Sequence, residues 1–170
     1  PDKIPRGATV KPESPFYNHC RNVLKHSVLF AGLSDEALQK LLFFYRRETW
    51  SKGSLIPVNL AAERLTAVIV GRLELTRTNP ETGRQLTLFT LGPGDAYDVI
   101  SLLDHKEHEI QPVALEPLEV ISAPIDKVRH WIETTPEFSR AFLPYLGEKI
   151  RLLESLSSDL ALSETVARLA

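Results

Sequence analysis

The chain has 170 residues, which is enough for one domain, or two small ones, with a buried core. Apolar residues make up 43% and charged residues 25%, and a net charge of −2 spread over both signs gives no broad attraction to nucleic acid. The single cysteine, Cys20, excludes an internal disulfide framework and favours a reducing cytoplasm, while the lack of an 18-residue apolar run predicts no membrane span.

The first part of the chain is predicted to be an arm followed by two helices. Residues 1–17 are polar, contain several prolines and lack the apolar core of a signal peptide, so they are predicted to form a flexible arm. A first helix is predicted over residues 18–30, with Gly32 as its break. Ser34, followed by two acidic residues, is predicted to cap a second helix over residues 37–45.

After Trp50 the sequence changes to short runs of β-branched and aliphatic residues between turn signals. Apolar and polar residues alternate on both sides of the turn at residues 80–83, which predicts a hairpin. Several short strands at this spacing indicate a β-sandwich or β-roll. The predicted strands cover residues 65–70, 72–78, 85–91 and 118–123.

From Asp126 onward the period is helical again. Helices are predicted over residues 126–133 and from Thr135, with Pro136 in the first turn. Pro144 and Gly147 are predicted to interrupt the next segment, which then runs to about residue 162. Its apolar residues recur at heptad spacing, with Ser157 in the one missing position, so pairing with a second helix is favoured over packing on the chain's own domain. The seam consists of Leu146, Ile150, Leu153 and Leu160.

Several motifs follow one another in a specific order: residues 29–34, Lys52-Gly53 before Leu55-Ile56, residues 68–75, residues 82–85 and the Leu-Gly-Pro-Gly-Asp turn at 91–95. In this order they resemble the cyclic-nucleotide-binding-domain superfamily. The long helix and its tail at residues 159–170 are similar to the dimer helix and first DNA-binding helix of cyclic-AMP receptor protein/FNR regulators. The resemblance covers about residues 28–170.

This resemblance implies an α+β fold, a double-stranded β-helix (a jelly-roll-like β-roll) flanked by N-terminal helices and a long C-terminal dimerisation helix. The implied organisation is an arm at 1–17, a sensor β-roll at 18–142, the dimerisation helix at 143–162 and the start of a truncated helix-turn-helix domain at 163–170. It implies a cytoplasmic, homodimeric transcription regulator and no enzyme. DNA would be bound through a C-terminal domain absent from this chain, and a small-molecule effector is one open interpretation.

The segment after the glycine turn departs from the family pattern. In relatives, a glutamate there binds the ribose hydroxyl of the cyclic nucleotide and an arginine about ten positions later pairs with the phosphate. Here Val99 stands in the glutamate position and Glu109 in the arginine position, and no arginine lies between Arg84 and Arg129. Like charges about 4 Å apart cost roughly 4 kcal/mol at an effective dielectric near 20, so we predict no useful binding of cyclic AMP or cyclic GMP. The residues of this degenerate phosphate cassette are Tyr97, Asp98, Val99, Leu102, Leu103 and Glu109.

The effector is left open by the sequence. One interpretation is a small organic molecule bound against Val99, Leu102, Leu103 and the dimer helix, and an equal one is a cavity filled by side chains. A cyclic-nucleotide-responsive regulator remains an alternative. His105 and His108 are weak candidates for a metal site with Glu107 or Glu109, against the simpler interpretation of a solvated loop.

Haem or redox sensing is a further, less favoured alternative. Cys20 is either a redox switch or a small buried apolar residue. A cupin-like metal enzyme is disfavoured, because its ligands would have to come from different strands and the histidines lie outside the predicted strands. Haem ligands would have to come from His19, Cys20, His26, His105, His108 or His130.

Overall fold

The computed structural model describes residues 8–57, 64–97, 99–104, 106 and 109–169, with residue 8 and residues 160–169 as backbone only. These residues form eight strands and five helices. In chain order they are β1 (Ala8–Thr9), α1 (Pro15–Lys25), α2 (Asp35–Phe44), β2 (Arg46–Trp50), β3 (Arg64–Val70), β4 (Leu73–Thr78), β5 (Gln85–Leu91), β6 (Ala96–Tyr97), α3 (Val99–Asp104), β7 (Gln111–Ala114), β8 (Leu118–Pro124), α4 (Ile125–Thr134) and α5 (Pro136–Leu169).

Two antiparallel sheets form a β-roll. One has the order β1-β2-β8-β3-β6 and the other β5-β4-β7. The four predicted strands lie within one residue of β3, β4, β5 and β8, and the predicted α+β roll with flanking helices is confirmed. Sequence periodicity missed the short strands β1, β6 and β7, as well as β2, because two to five residues carry too little alternation to be recognised.

The larger sheet separates two apolar cores. The roll interior is filled from both sheets, for example by Leu73, Tyr97 and Val120. The other face of the larger sheet packs against the helices, with Leu38 of α2 and Phe142 of α5 in the same core. Burial on both faces explains why β3 carries a nearly continuous apolar run.

The predicted flexible arm at residues 1–17 is wrong from residue 8 onward. β1 pairs with Arg46 and Arg47 at the sheet edge, and Val10 is buried. The Ser14 hydroxyl accepts a hydrogen bond from the Tyr17 N–H at 3.1 Å, so the helix begins at Pro15 rather than at residue 18. The prediction failed because a cap followed by proline was taken as part of a loose segment.

The first helix also ends earlier than predicted, at Lys25 instead of residue 30. The Ser27 hydroxyl donates to the Leu24 carbonyl at 2.8 Å and accepts from the Phe30 N–H at 3.1 Å. A serine that bonds the neighbouring backbone in this way competes with helix continuation. The second helix agrees with the prediction, since the Ser34 hydroxyl accepts from the Ala37 N–H and caps it.

The predicted interruption at Pro144 and Gly147 is wrong. α5 is continuous over Pro136–Leu169, and therefore crosses the predicted boundaries at 143 and 163 without a break. The proline removes one intrahelical hydrogen bond, but Phe142 and Tyr145 on either side of it are buried and hold the helix against the roll. Within the described residues, no helix has the length and hydropathy needed to cross a membrane.

Candidate effector site

The turn that opens the cassette is tightly packed. The Asp95 carboxylate accepts from the Gly92 N–H at 3.1 Å, and Gly94 has φ +92°. A Cβ at Gly94 would lie 2.8 Å from the Cβ of Ser27, so only glycine fits between this turn and the end of α1. The turn is thus held against the helical layer before the cassette begins.

The predicted cassette residues face three different environments. Tyr97 is 3% exposed and fills the roll interior together with Ile110. Leu102 is buried in the core on the helix side, and Val99 packs against that same core. Leu103 is exposed. Asp98, and with it the loop residues His105, Glu107 and His108, lies outside the described residues.

Glu109 occupies the position predicted for a phosphate-binding arginine and lies at the surface. Its side chain is 85% exposed, and one carboxylate oxygen is 3.4 Å from the Arg77 guanidinium of β4. The carboxylate therefore pairs with a cation near the end of β4, the central strand of the smaller sheet. An anion approaching this side of the roll meets a charge pair whose net charge is zero.

An arginine that the sequence analysis did not single out holds the cassette helix. Arg129 of α4 donates to two successive carbonyls at the end of α3: its Nη2 to Ser101 at 2.7 Å and its Nε to Leu102 at 2.9 Å. Its Nη1 is 3.0 Å from the Asp126 carboxylate. Only 19% of the side chain is exposed, so this cation serves the backbone of α3 and the carboxylate of its own helix.

Two side chains of α5 contact the segment that leads into the cassette. The Tyr145 hydroxyl donates to the Ala96 carbonyl at 3.2 Å, and burial raises the pKa of this phenol. One turn further on, the Lys149 ammonium lies 3.5 Å from the Asp95 carboxylate and 5.2 Å from the centre of the Tyr145 ring. The long helix is thereby attached directly to the turn and to β6.

Beyond Lys149 the long helix leaves the body of the protein. All side chains from residue 150 to residue 159 are exposed. Of the predicted seam, Ile150 is 57% and Leu153 is 49% exposed, whereas Leu146 packs partly against its own domain. The side chain of Leu160 lies outside the described residues. Leu143, which was not predicted as part of the seam, is also exposed and lies one heptad before Ile150, so it extends the seam.

The remaining candidates for metal, haem or redox chemistry do not cluster. His19, His26 and His130 are exposed on α1, at its end and on α4. Within the described part of the chain, no group of three histidine, cysteine or acidic residues is placed to hold a metal ion. Burial raises the pKa of the Cys20 thiol to about 12, which keeps it protonated and unreactive at neutral pH.

No protein-family model matches the chain. A curated relative from Mycobacterium tuberculosis, a "CRP-like cAMP-activated global transcriptional regulator", is 24% identical over 149 residues, 87% of this chain and 66% of the relative. A "Global nitrogen regulator" of Nostoc is 31% identical over 110 residues, 64% of this chain and 49% of the relative. The chain thus spans about half to two thirds of the length of these relatives.

The fold has solved counterparts. The catabolite activator protein of Thermus thermophilus superposes with a TM-score of 0.66 at 28% identity, covering 79% of this chain and 62% of that chain. The sequence relatives and the structural neighbours point to the same group of proteins. In sequence and in fold, this chain is similar to regulators of the cyclic-AMP receptor protein/FNR type. The relative from Mycobacterium tuberculosis is named as a transcriptional regulator.

The cassette of this chain is held by side chains of both α4 and α5. Tyr145 and Lys149 are four residues apart on one face of α5, which continues the face of buried Phe138 and Phe142. That spacing was visible in the sequence. The contact of Arg129 with α3 had no sequence signal, because its acceptors are backbone carbonyls 27 and 28 residues away.

Proposed function

We propose that this chain is the sensor and dimerisation part of a DNA-binding transcription regulator, and that the sensor does not respond to cyclic nucleotides. Glu109 carries the second part of the proposal. The position that needs a cation for the cyclic phosphate holds a carboxylate, and the nearest guanidinium in contact with it, that of Arg77, is already paired. Val99, in the position of the ribose-binding glutamate, has no acceptor to offer and packs against apolar side chains.

The filling of the roll supports the same proposal. Tyr97 and Ile110, which flank the cassette in the chain, are both buried between the two sheets. A nucleotide would have to displace this packing, at a cost in buried apolar area, without gaining an ion pair. The metal and haem alternatives receive no comparable support from the described histidines.

The regulatory part of the proposal is supported by the relatives, one of which is named as a global transcriptional regulator and another as a global nitrogen regulator. The DNA-contacting domain of such a regulator would lie outside these 170 residues. Homodimerisation is supported by the projecting half of α5, whose apolar side chains at Ile150 and Leu153 are exposed at heptad spacing. A second copy of the same helix would bury them.

Titration calorimetry tests the cassette. The folded chain is titrated with cyclic AMP and with cyclic GMP, and the Mycobacterium tuberculosis regulator named as cAMP-activated serves as the positive control. We expect no binding heat up to millimolar nucleotide. The Glu109→Gln variant, which removes the carboxylate charge without restoring a cation, is also expected to show no binding of either nucleotide. Micromolar affinity of the unaltered chain for either nucleotide would overturn the proposal.

A further inference from the structure

The cassette helix α3 has only six residues, too few to be stable in isolation, so tertiary contacts must keep it ordered. Leu102 anchors its buried side. At its C-terminal end, where unpaired carbonyls give the helix a partial negative charge, Arg129 binds two carbonyls at once. The guanidinium plane matches two neighbouring acceptors, which one ammonium group cannot do equally well.

We propose that Arg129 keeps the cassette helix ordered without any bound effector and, through that helix, fixes the angle at which α5 leaves the β-roll. This inference rests on the proposed function in one respect, because it takes the projecting half of α5 as the output of the sensor. Arg129 is a positioning residue: it would act through the backbone of α3.

The route from Arg129 to α5 is short. One residue separates the end of β6 from the start of α3. The Ala96 carbonyl of β6 accepts the hydrogen bond from Tyr145. Asp95, immediately before β6, contacts Lys149. On the other side, the Ser139 hydroxyl of α5 donates to the Ile132 carbonyl of α4 at 2.5 Å, so the helix that carries Arg129 is itself attached to the start of α5.

The direction of the projecting helix is set by the first part of α5, through these polar contacts and through the burial of Phe138 and Phe142 in the core on the helix side. Lys149 is the last residue of α5 with a described contact to the roll, and the side chains from 150 to 159 are all exposed. A small movement of β6 relative to α4 would therefore change the angle at which this exposed segment leaves the roll. For a given change in angle, a residue moves further the further it lies along the helix, because each residue adds about 1.5 Å to the helix length.

Hydrogen exchange tests the first half of the inference, on the ligand-free chain. We expect the α3 amides to be protected in the unaltered protein, and Arg129→Ala to lower that protection by about tenfold or more while amides of β8 keep theirs. Millimolar ethylguanidinium is expected to restore part of the protection, and Arg129→Lys to give an intermediate value. The matched control is Arg140→Ala, because Arg140 also donates to a carbonyl, that of Pro136, but within its own helix.

Distance measurement tests the second half. Spin labels are placed at Lys52→Cys and Ser158→Cys, both exposed positions, in the Ile150→Asp background so that only intramolecular distances are recorded. The buried Cys20 thiol stays unlabelled. We expect Arg129→Ala to shift or broaden the distance distribution by several Å, and Arg140→Ala to leave it unchanged.

Either of two results would overturn the inference. One is α3 exchange at the unstructured rate in the unaltered chain, or unchanged exchange in Arg129→Ala. The other is faster α3 exchange with an unchanged distance distribution, which would make Arg129 a local structural contact only. Both measurements omit nucleotide and need no dimer, so their failure is separate from the failure of the calorimetric and dimerisation tests.

Discussion

The Tyr145 hydroxyl of α5 donates a hydrogen bond to the Ala96 carbonyl of β6 over 3.2 Å, and the tyrosine is almost completely buried. This contact joins the long helix to the strand that leads into the cassette. If the Tyr145 hydroxyl is removed, the buried Ala96 carbonyl cannot bond to water instead. The hydrogen bond is therefore needed for the stability of the contact between α5 and β6. It is also the point at which the sensor and the projecting helix meet.

Tyr145→Phe removes this donor and keeps the ring. We expect the free energy of unfolding to fall by about 1–2 kcal/mol, because the Ala96 carbonyl loses its partner while the apolar packing remains. Urea denaturation followed by circular dichroism measures the change. Tyr45→Phe is the matched control, since the Tyr45 hydroxyl is buried and has no hydrogen-bond partner among the described residues. That variant should be neutral or slightly more stable, and equal losses in both would contradict the account.

Ile150→Asp tests the seam. A charge at an exposed apolar position of the projecting helix should leave the fold intact but prevent burial of that position against a second copy. We expect the dimer to dissociate at least about tenfold more readily, as measured by sedimentation velocity. Ser155→Asp introduces the same charge on the polar side of α5 and should leave the dimer intact. Unchanged mass of the Ile150→Asp variant would reject the seam.

Gly71→Ala tests the turn between β3 and β4. Gly71 has φ +85°, and a Cβ there would lie 2.4 Å from the Pro117 carbonyl oxygen, so the backbone itself would have to move. We expect a loss of about 3 kcal/mol or more in the free energy of unfolding.

Gly53→Ala is the control for that substitution. Gly53 has a similar φ of +81°, but a Cβ there meets nothing within 4 Å. Only the backbone strain of a left-handed alanine should remain, about 1–2 kcal/mol. Comparable losses at both positions would show that the contact with Pro117 is unimportant.

The burial of Cys20 predicts how the stability of the fold depends on pH. Burial raises the pKa of the folded thiol to about 12, from 9.0 when unperturbed, so the folded state holds the proton more tightly than the unfolded state. The protonated Cys20 thiol therefore makes its full contribution to the free energy of unfolding below pH 9, and this contribution is lost as pH rises from about 9 towards 12. The thiol should not react with a disulfide reagent at pH 8 until the chain is unfolded. Cys20→Ala should remove this part of the alkaline loss of stability, and rapid reaction in the native state would contradict the burial.

The coarse order of two helices, a β-roll and a long helix was predictable from the sequence, although half of the described strands were not. Apolar alternation over β4 and β5, the serine cap before α2 and the heptad spacing of Ile150 and Leu153 are local patterns, each fixed by backbone geometry over a few residues. The glutamate at the position where the family motif predicts an arginine was equally visible, because it concerns which residue type stands at a position in an ordered series of motifs.

The contacts of Glu109 and of Arg129 could be seen only in the tertiary structure. Nothing in the sequence indicates that Glu109 pairs with Arg77, or that Arg129 binds the end of α3, because the partners are separated by more than 25 residues and, for Arg129, are backbone groups common to every residue. The continuity of α5 through Pro144 was likewise set by the burial of its neighbours. Residue spacing determined the main elements and the motifs from which the site was predicted, because these are local patterns, whereas long-range packing determined which side chains hold the site together.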